Sequence, residues 1–208
     1  MTMSQKPAAR RLVLASASPA RRALLHAAGL APEVIVSGVD ESVIDSTDPG
    51  DLARQLATLK ARAVAGLPEA EQAVVIGCDS VLEFAGDIHG KPADAEEAAS
   101  RWKAMRGNSG VLHTGHCVID NDSGAEVVES SSTRVYFADV SDSDIAAYVA
   151  TGEPLRVAGA FTLDGYGSAF VDKINGDPGT VIGLSMPLLR RMFATVNISL
   201  TDLWSKPS

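Results

Sequence analysis

Residues 12–25, LVLASASPARRALL, constrain the fold more than any other stretch. An apolar run stops at Ser16-Ala17-Ser18-Pro19 and a helical pattern starts at once. Ser18 carries the hydroxyl that an N-cap needs to accept from first-turn N–H groups. Pro19 suits the next position, where its missing N–H costs nothing. A buried strand that runs directly into a capped helix is the opening of an α/β unit. The alternation continues. Strands are predicted over 11–16, 32–38 and 73–84, the last interrupted at Asp79. Helices are predicted over 19–28 (closed by Gly29), from Pro49 to about Gly66, and from Asp94 to Met105. Residues 111–120 and 126–139 form the arms of a long hairpin turned around Asn121-Asp122-Ser123-Gly124. A short helix over 141–150 capped by Ser141, a glycine-rich 155–185 and a last helix over 186–196 complete the chain. The expected fold class is therefore α/β, a mixed twisted sheet flanked by helices, in a single domain over 1–208.

A net charge of −8 argues against sequence-independent binding of nucleic-acid polymers, which relies on Lys and Arg against phosphate. Any phosphate binding must be local. Cys78 and Cys117 each lie in an apolar strand-like run and read as buried free thiols in a reducing compartment. There is no signal-like leader and no run of about 18 apolar residues, so the expectation is a cytoplasmic protein without a membrane span.

In open α/β sheets, ligands collect at the carboxyl ends of strands. That rule selects Ser16, Ser18 and Arg21 after the first strand, Asp40 and Glu41 after the second, and Asp79 after the third. Arg21 is the puzzle, because the macrodipole disfavours cations at a helix N-terminus. It lies one turn before Leu24 and Leu25, on the inward stripe. Arg22 is turned by about 100° and aligns with His26 on the outer side. A fixed anion would satisfy Arg21, the Ser16 and Ser18 hydroxyls and the free N–H groups together; the alternative is a structural carboxylate partner for Arg21.

Asp79 follows five apolar residues, where a carboxylate needs a cation, a metal or donors. With Asp40 and Glu41 it makes three carboxylates suited to Mg²⁺ or Mn²⁺. Lys60 falls about 60° off a stripe of Leu52, Leu56, Leu59 and Ala63, and either snorkels to water or reaches over the sheet end. Lys91 is held on a stiff turn between Gly90 and Pro92, a good place for anion capture. The histidines make no metal set: His113 and His116, three apart in a strand, face opposite ways. His26 reads as a surface residue and His89 lies beside Lys91. There is no Walker A or GxGxxG motif.

The blocks LASASPARRALL (14–25), GVDES (38–42), LATLKARAV (56–64), IGCDSV (76–81), IHGKP (88–92) and EPLRVAGAFTLDGYGSAFVDKINGDPGTVIGLSMPLL (153–189) resemble the Maf family of nucleoside triphosphate pyrophosphatases, also known as septum-formation-inhibitor-like proteins. The resemblance covers nearly the whole chain. It implies a two-lobed α/β fold related to inosine triphosphate pyrophosphatases. It also implies metal-dependent hydrolysis of a nucleoside triphosphate, non-canonical and pyrimidine nucleotides among the candidates, to monophosphate and diphosphate. By position, Asp79 matches the catalytic acid–base residue; Ser16, Arg21, Lys60 and Lys91 match the phosphate-binding set; and Glu41 matches an acidic residue near the metal. Two positions depart from the family pattern. Ala20 stands where many members carry the first of two arginines. Asp164 stands where members preferring dTTP and UTP carry Gln and those preferring methylated GTP carry an acidic residue. Asp164 either faces the base or only shapes its Asp-Gly turn. Homodimerisation is compatible with the resemblance, the 111–137 hairpin offering an edge. The competing reading is a nucleotide-binding regulator of cell division acting through a protein partner; a non-enzymatic interaction domain would leave Ser18, Arg21, Asp79 and Lys91 without a joint explanation.

Overall fold

The computed structural model describes residues 10–205. A seven-stranded mixed sheet carries the chain. Its strands are β1 (Arg11–Leu14), β2 (Glu33–Val34), β3 (Ala73–Phe84), β4 (Asp87–His89), β5 (Ser109–Asp120), β6 (Ala125–Phe137) and β7 (Val171–Asn175). The order is β2-β1-β3-β5-β6-β7, with β4 also on β3. β1 runs parallel to β2 and β3, and the remaining pairs are antiparallel. The flanking helices are α1 (Pro19–Ala27), α2 (Pro49–Ala65), α3 (Ala95–Met105), α4 (Asp142–Ala150), α5 (Pro178–Ile182) and α6 (Met186–Thr195). Each starts on a side chain that accepts from a first-turn N–H: Ser18, Asp48, Asp94, Ser141, Asp177 and Ser185. None of the described helices is long and apolar enough to cross a membrane.

The fold class is the expected one, and three details differ. β3 is not interrupted at Asp79; it continues to Phe84 because β5 pairs with it from Val74 to Glu83. β2 shrinks to two residues. β4 and β7 are strands where none was expected, since runs of three and five residues carry too little periodicity to read. β7 pairs only with the 134–137 end of β6, so the hairpin keeps an edge without a strand partner over 125–133.

β3 has a gap on one side. β1 covers one edge from Ala73 to Ile76, and β4 covers the same edge from Leu82 to Phe84, while β5 holds the other edge. Residues 77–81 therefore have no strand partner on that edge. As β1 leaves, Ala15 N–H donates to Ile76 O at 2.8 Å, the last rung before the gap.

α2 packs on the sheet at backbone distance. A Cβ on Gly77 would sit 2.3 Å from Ala57 O, and one on Gly115 would sit 2.1 Å from Ala53 O. The buried face of α2 is accordingly Ala53, Leu56, Ala57, Lys60, Ala61 and Val64, with Leu52 and Leu59 only half-buried. This corrects the expected stripe. Where the strands present Gly77 and Gly115, only the alanines Ala53, Ala57 and Ala61 fit, so Leu52 and Leu59 are turned aside while Leu56 stays on the buried face. One apolar cluster packs α1 and α6 on one face, including Leu14, Ile76 and Phe193; another packs α2 on the opposite face, including Val13, Val75 and Cys117. A third gathers α3 and α4 at the far ends of β3, β5 and β6 around Trp102 and Phe137. The long strands thus carry two separately packed halves. Cys78 and Cys117 are free and buried, and burial pushes their thiols up to about 11 and about 12. Both are chemically quiet.

The α2 contact generates a prediction. Gly115→Ala forces a Cβ into the Ala53 carbonyl and must lift α2, so it should destabilise the protein by about 2 kcal/mol or more. Urea unfolding of the variant reads this directly; an unchanged midpoint would mean that α2 does not rest on the strand.

Candidate active site

A cavity of about 770 Å³ opens at the gap in β3 and runs between the two packed halves. Ser16, Ser18, Arg21, Glu41, Lys60, Asp79, Lys91 and Asp164 all line it. Asp40 does not. Its carboxylate accepts from Ser42 N–H (2.9 Å) and Ser42 Oγ (2.7 Å), capping its own turn, and these bonds hold it below its ordinary range. The expected trio of carboxylates is therefore a pair.

That pair meets on Lys60. Its ammonium donates to Asp79 Oδ1 and lies 2.8 Å from Glu41 Oε1. Lys60 and Asp79 are 9% and 8% exposed, so Lys60 does not snorkel; it spends its charge inside the protein. The strand period explains the meeting. Gly77 and Asp79 share the α2 face of β3, and the glycine contact sets α2 deep enough for Lys60 to arrive at the carboxylate.

Arg21 approaches from the other face. Nε donates to Gly183 O (2.9 Å), Nη1 to Cys78 O (2.8 Å) and Ser16 Oγ (3.1 Å), and Nη2 to Ser80 Oγ (3.2 Å). No carboxylate among the described residues pairs with it, so the alternative offered by the sequence has no partner there. Cys78 O lies in the gap, where β1 no longer supplies a donor, and Arg21 takes the place of that strand. Four of the five guanidinium N–H groups are thus engaged and one on Nη2 remains. Arg22 is exposed, as its phase predicted.

Behind Arg21 the hydroxyls form a directed chain. Thr114 Oγ1 donates to Thr180 O at 2.7 Å, so Ser80 Oγ donates to Thr114 Oγ1 at 2.8 Å and accepts from Arg21. On the same strand, buried His116 accepts at Nε2 from Ser185 N–H (2.9 Å) and lies 3.1 Å from Thr114 O through Nδ1, which places its proton on Nδ1. Burial, then the charge of Arg21, pushes its pKa down to about 4.

Lys91 is exposed at the cavity rim. Asp164 is also exposed, and its side chain makes no hydrogen bond to a described residue. The Asp-Gly turn is held instead by Glu153, whose carboxylate accepts from Tyr166 N–H (3.1 Å) and Gly167 N–H (3.0 Å).

A family model described as Maf-like protein matches residues 11–196. The chain is 59% identical over 199 residues to a protein of Salinispora tropica named nucleoside triphosphate pyrophosphatase, covering 94% of this chain and 88% of that one. It is 60% identical over 196 residues to a protein of the same name from Streptomyces coelicolor (94% and 95% covered). A third relative of that name, from Nostoc punctiforme, is 54% identical over 192 residues (92% and 96% covered). The chain belongs to the Maf family.

Two cavity-lining residues of this Maf-family chain, Ser80 and Arg156, and one supporting carboxylate, Glu153, escaped the sequence reading. Ser80 had a signal, since alternation places it opposite Asp79 and hence on Arg21's face. Arg156, which lines the cavity, lay in a glycine-rich segment with no readable period. Glu153 collects its donors from residues 148–167, and nothing local marks it.

His116 supplies a pH prediction. A histidine held neutral with a pKa near 4, against 6.5 when unfolded, contributes stability that is complete above 6.5 and is lost as pH falls toward 4. The loss is on the order of 3 kcal/mol across that window, because burial, and then the charge of Arg21, disfavour the protonated ring. Denaturant titrations at steps from pH 7.5 to 4.5 should show wild type losing more stability than His116→Gln; equal slopes would rule His116 out as the cause.

Proposed function

We propose that this protein is a nucleoside triphosphate pyrophosphatase, splitting the α–β phosphoanhydride to release a nucleoside monophosphate and diphosphate. The relatives' names support the reaction class. The observation that carries it is a buried carboxylate, Asp79, against the buried ammonium of Lys60, in a cavity that also holds Arg21, Lys91 and the start of α1.

The geometry supports the following roles. The Lys60 ammonium fixes the Asp79 carboxylate in place at the cavity, where a carboxylate oxygen can accept a proton from an attacking water. A water oxygen bonds to the α-phosphorus, its proton passes to Asp79, and the bond from that phosphorus to the bridging oxygen breaks with its electron pair leaving on diphosphate. Lys60, Lys91 and the remaining Arg21 N–H neutralise the phosphate oxygens, with the Ser16 and Ser18 hydroxyls and the α1 N-terminus adding donors. Positioning and charge do most of the work.

Among the described residues no three His, Cys, Asp or Glu groups converge on one point. Two carboxylates do, Glu41 and Asp79. That number fits Mg²⁺ or Mn²⁺ arriving with a triphosphate, since such ions take one or two carboxylates and complete their shell with phosphate and water. Bound there, the ion would supply Lewis-acid polarisation of the phosphoryl group and a more acidic water, and Glu41 and Asp79 are the residues that would hold it.

Asp79→Asn keeps the shape and removes the base. Turnover should fall by about a hundredfold or more, while triphosphate binding persists. Lys60 keeps Glu41 as a partner, so the variant should still fold. Pyrophosphate release near the wild-type rate in Asp79→Asn would refute this role.

Asp164 is proposed to read the base. Its unpaired carboxylate accepts from an amino or imino N–H and repels a carbonyl oxygen, a mismatch that changes specificity about tenfold to a hundredfold. Asp164→Gln both donates and accepts, and should shift preference toward uracil and thymine nucleotides. Ratios of kcat/KM for UTP, dTTP, CTP and GTP in both forms decide it; an unchanged ranking removes Asp164 from base selection.

A further inference from the structure

The cavity is lined by four cations, and two of them have no side-chain acceptor among the described residues. Arg21 is engaged by carbonyl and hydroxyl oxygens, and Lys60 by two carboxylates. Lys91 and Arg156 are left. Arg156 is exposed and closes the short helical turn Pro154–Arg156.

That turn is rigid at both ends. Before it, the Glu153 carboxylate accepts from Tyr148 Oη (3.0 Å), Thr162 Oγ1 (2.5 Å), Tyr166 N–H and Gly167 N–H, and Arg156 N–H donates to Glu153 O (3.2 Å). After it, Gly159 adopts φ 72°, which a side chain resists, and its N–H donates to Gly90 O at 3.1 Å. Trp102 Nε1 then holds Ala160 O at 2.7 Å. Gly90 O also accepts from Arg101 Nη1 at 2.7 Å, and Gly90 immediately precedes Lys91. A single carbonyl thus ties the turn carrying Arg156 to the turn carrying Lys91. Two cations on two stiff, mutually bonded turns lining one cavity, with no counter-ion among the described residues, are set for an external anion. A guanidinium there offers a planar fork that grips two oxygens of one phosphoryl group.

We propose that Arg156 binds the diphosphate part of the substrate beside Lys91, holding the leaving group. The proposal rests on the pyrophosphatase reading and adds a residue to it. Three ligands test it by calorimetry or competition: a non-hydrolysable α,β-methylene nucleoside triphosphate, inorganic pyrophosphate, and the nucleoside monophosphate. In Arg156→Gln the first two should bind about tenfold to a hundredfold more weakly while the monophosphate is unchanged. Arg156→Lys should recover part of the loss, because it restores the charge without the fork. Thermal melting should match wild type, since the side chain is exposed. If the analogue and pyrophosphate bind Arg156→Gln within twofold of wild type, or if the monophosphate weakens equally, the proposal fails while the pyrophosphatase reading stands. A wild-type protein that neither binds the analogue nor releases pyrophosphate from any nucleotide brings down the functional reading and this proposal together.

Discussion

The depth at which α2 lies on the sheet governs the rest of the molecule. Gly77 and Gly115 present bare backbone, and the Ala53 and Ala57 carbonyls occupy the space that two Cβ atoms would need. From that depth the Lys60 side chain reaches Asp79 and Glu41. A buried ammonium is costly to desolvate, and an apolar residue in its place is often as stable or more so. Stability alone therefore does not account for Lys60. A role in fixing a carboxylate and a cation side by side in the cavity does.

The second constraint is the gap on β3. An uncovered strand edge inside a sheet leaves backbone groups that must find partners. Arg21 meets that need at Cys78 O and so anchors its guanidinium at the same five residues that expose Asp79. Because successive residues of a strand face opposite ways, Asp79 is reached from the α2 layer, and Ser80 and the Cys78 carbonyl from the α1 layer. The site depends on both layers at once. It also explains a cation at the start of α1: the guanidinium is held by four oxygens, and their partial charges outweigh the unfavourable dipole.

Much of this was legible because it is local chemistry. Ser18, Asp48 and Ser141 announce helix starts through hydrogen bonds within a few residues, and the strand-end rule gathered Ser16, Arg21, Glu41 and Asp79 without any knowledge of contacts. Properties set by distant partners were not legible. The phase of α2 was misjudged because leucine outranks alanine until the opposing surface is known; Gly77 and Gly115 inside apolar strands were the available sign of a close approach. Asp79 looked like a strand terminus because periodicity does not reveal that β5 carries the strand onward. Asp40 looked like a ligand beside Glu41, but its own turn offered Ser42 first. Glu153 draws four donors from α4 and from residues 162–167, an arrangement that no spacing encodes.

Charge accounting connects the site to the whole. The chain carries a net −8, yet the cavity is lined by four cations, Arg21, Lys60, Lys91 and Arg156, against three carboxylates, Glu41, Asp79 and Asp164. Locally the balance is one positive charge inside an acidic molecule. That excess is enough to draw in a small anion and too small to hold a polyanion along a surface. A bound triphosphate brings about four negative charges near neutral pH, given a last phosphate ionisation near 6. One net positive charge leaves most of that uncompensated in a low-dielectric cleft. A divalent cation shared between Glu41, Asp79 and the phosphates would close most of the deficit, and two carboxylates are the number such an ion takes when phosphate oxygens supply the rest. The acidic pair is thus not in conflict with an anionic substrate. It sets the charge that has to arrive with it.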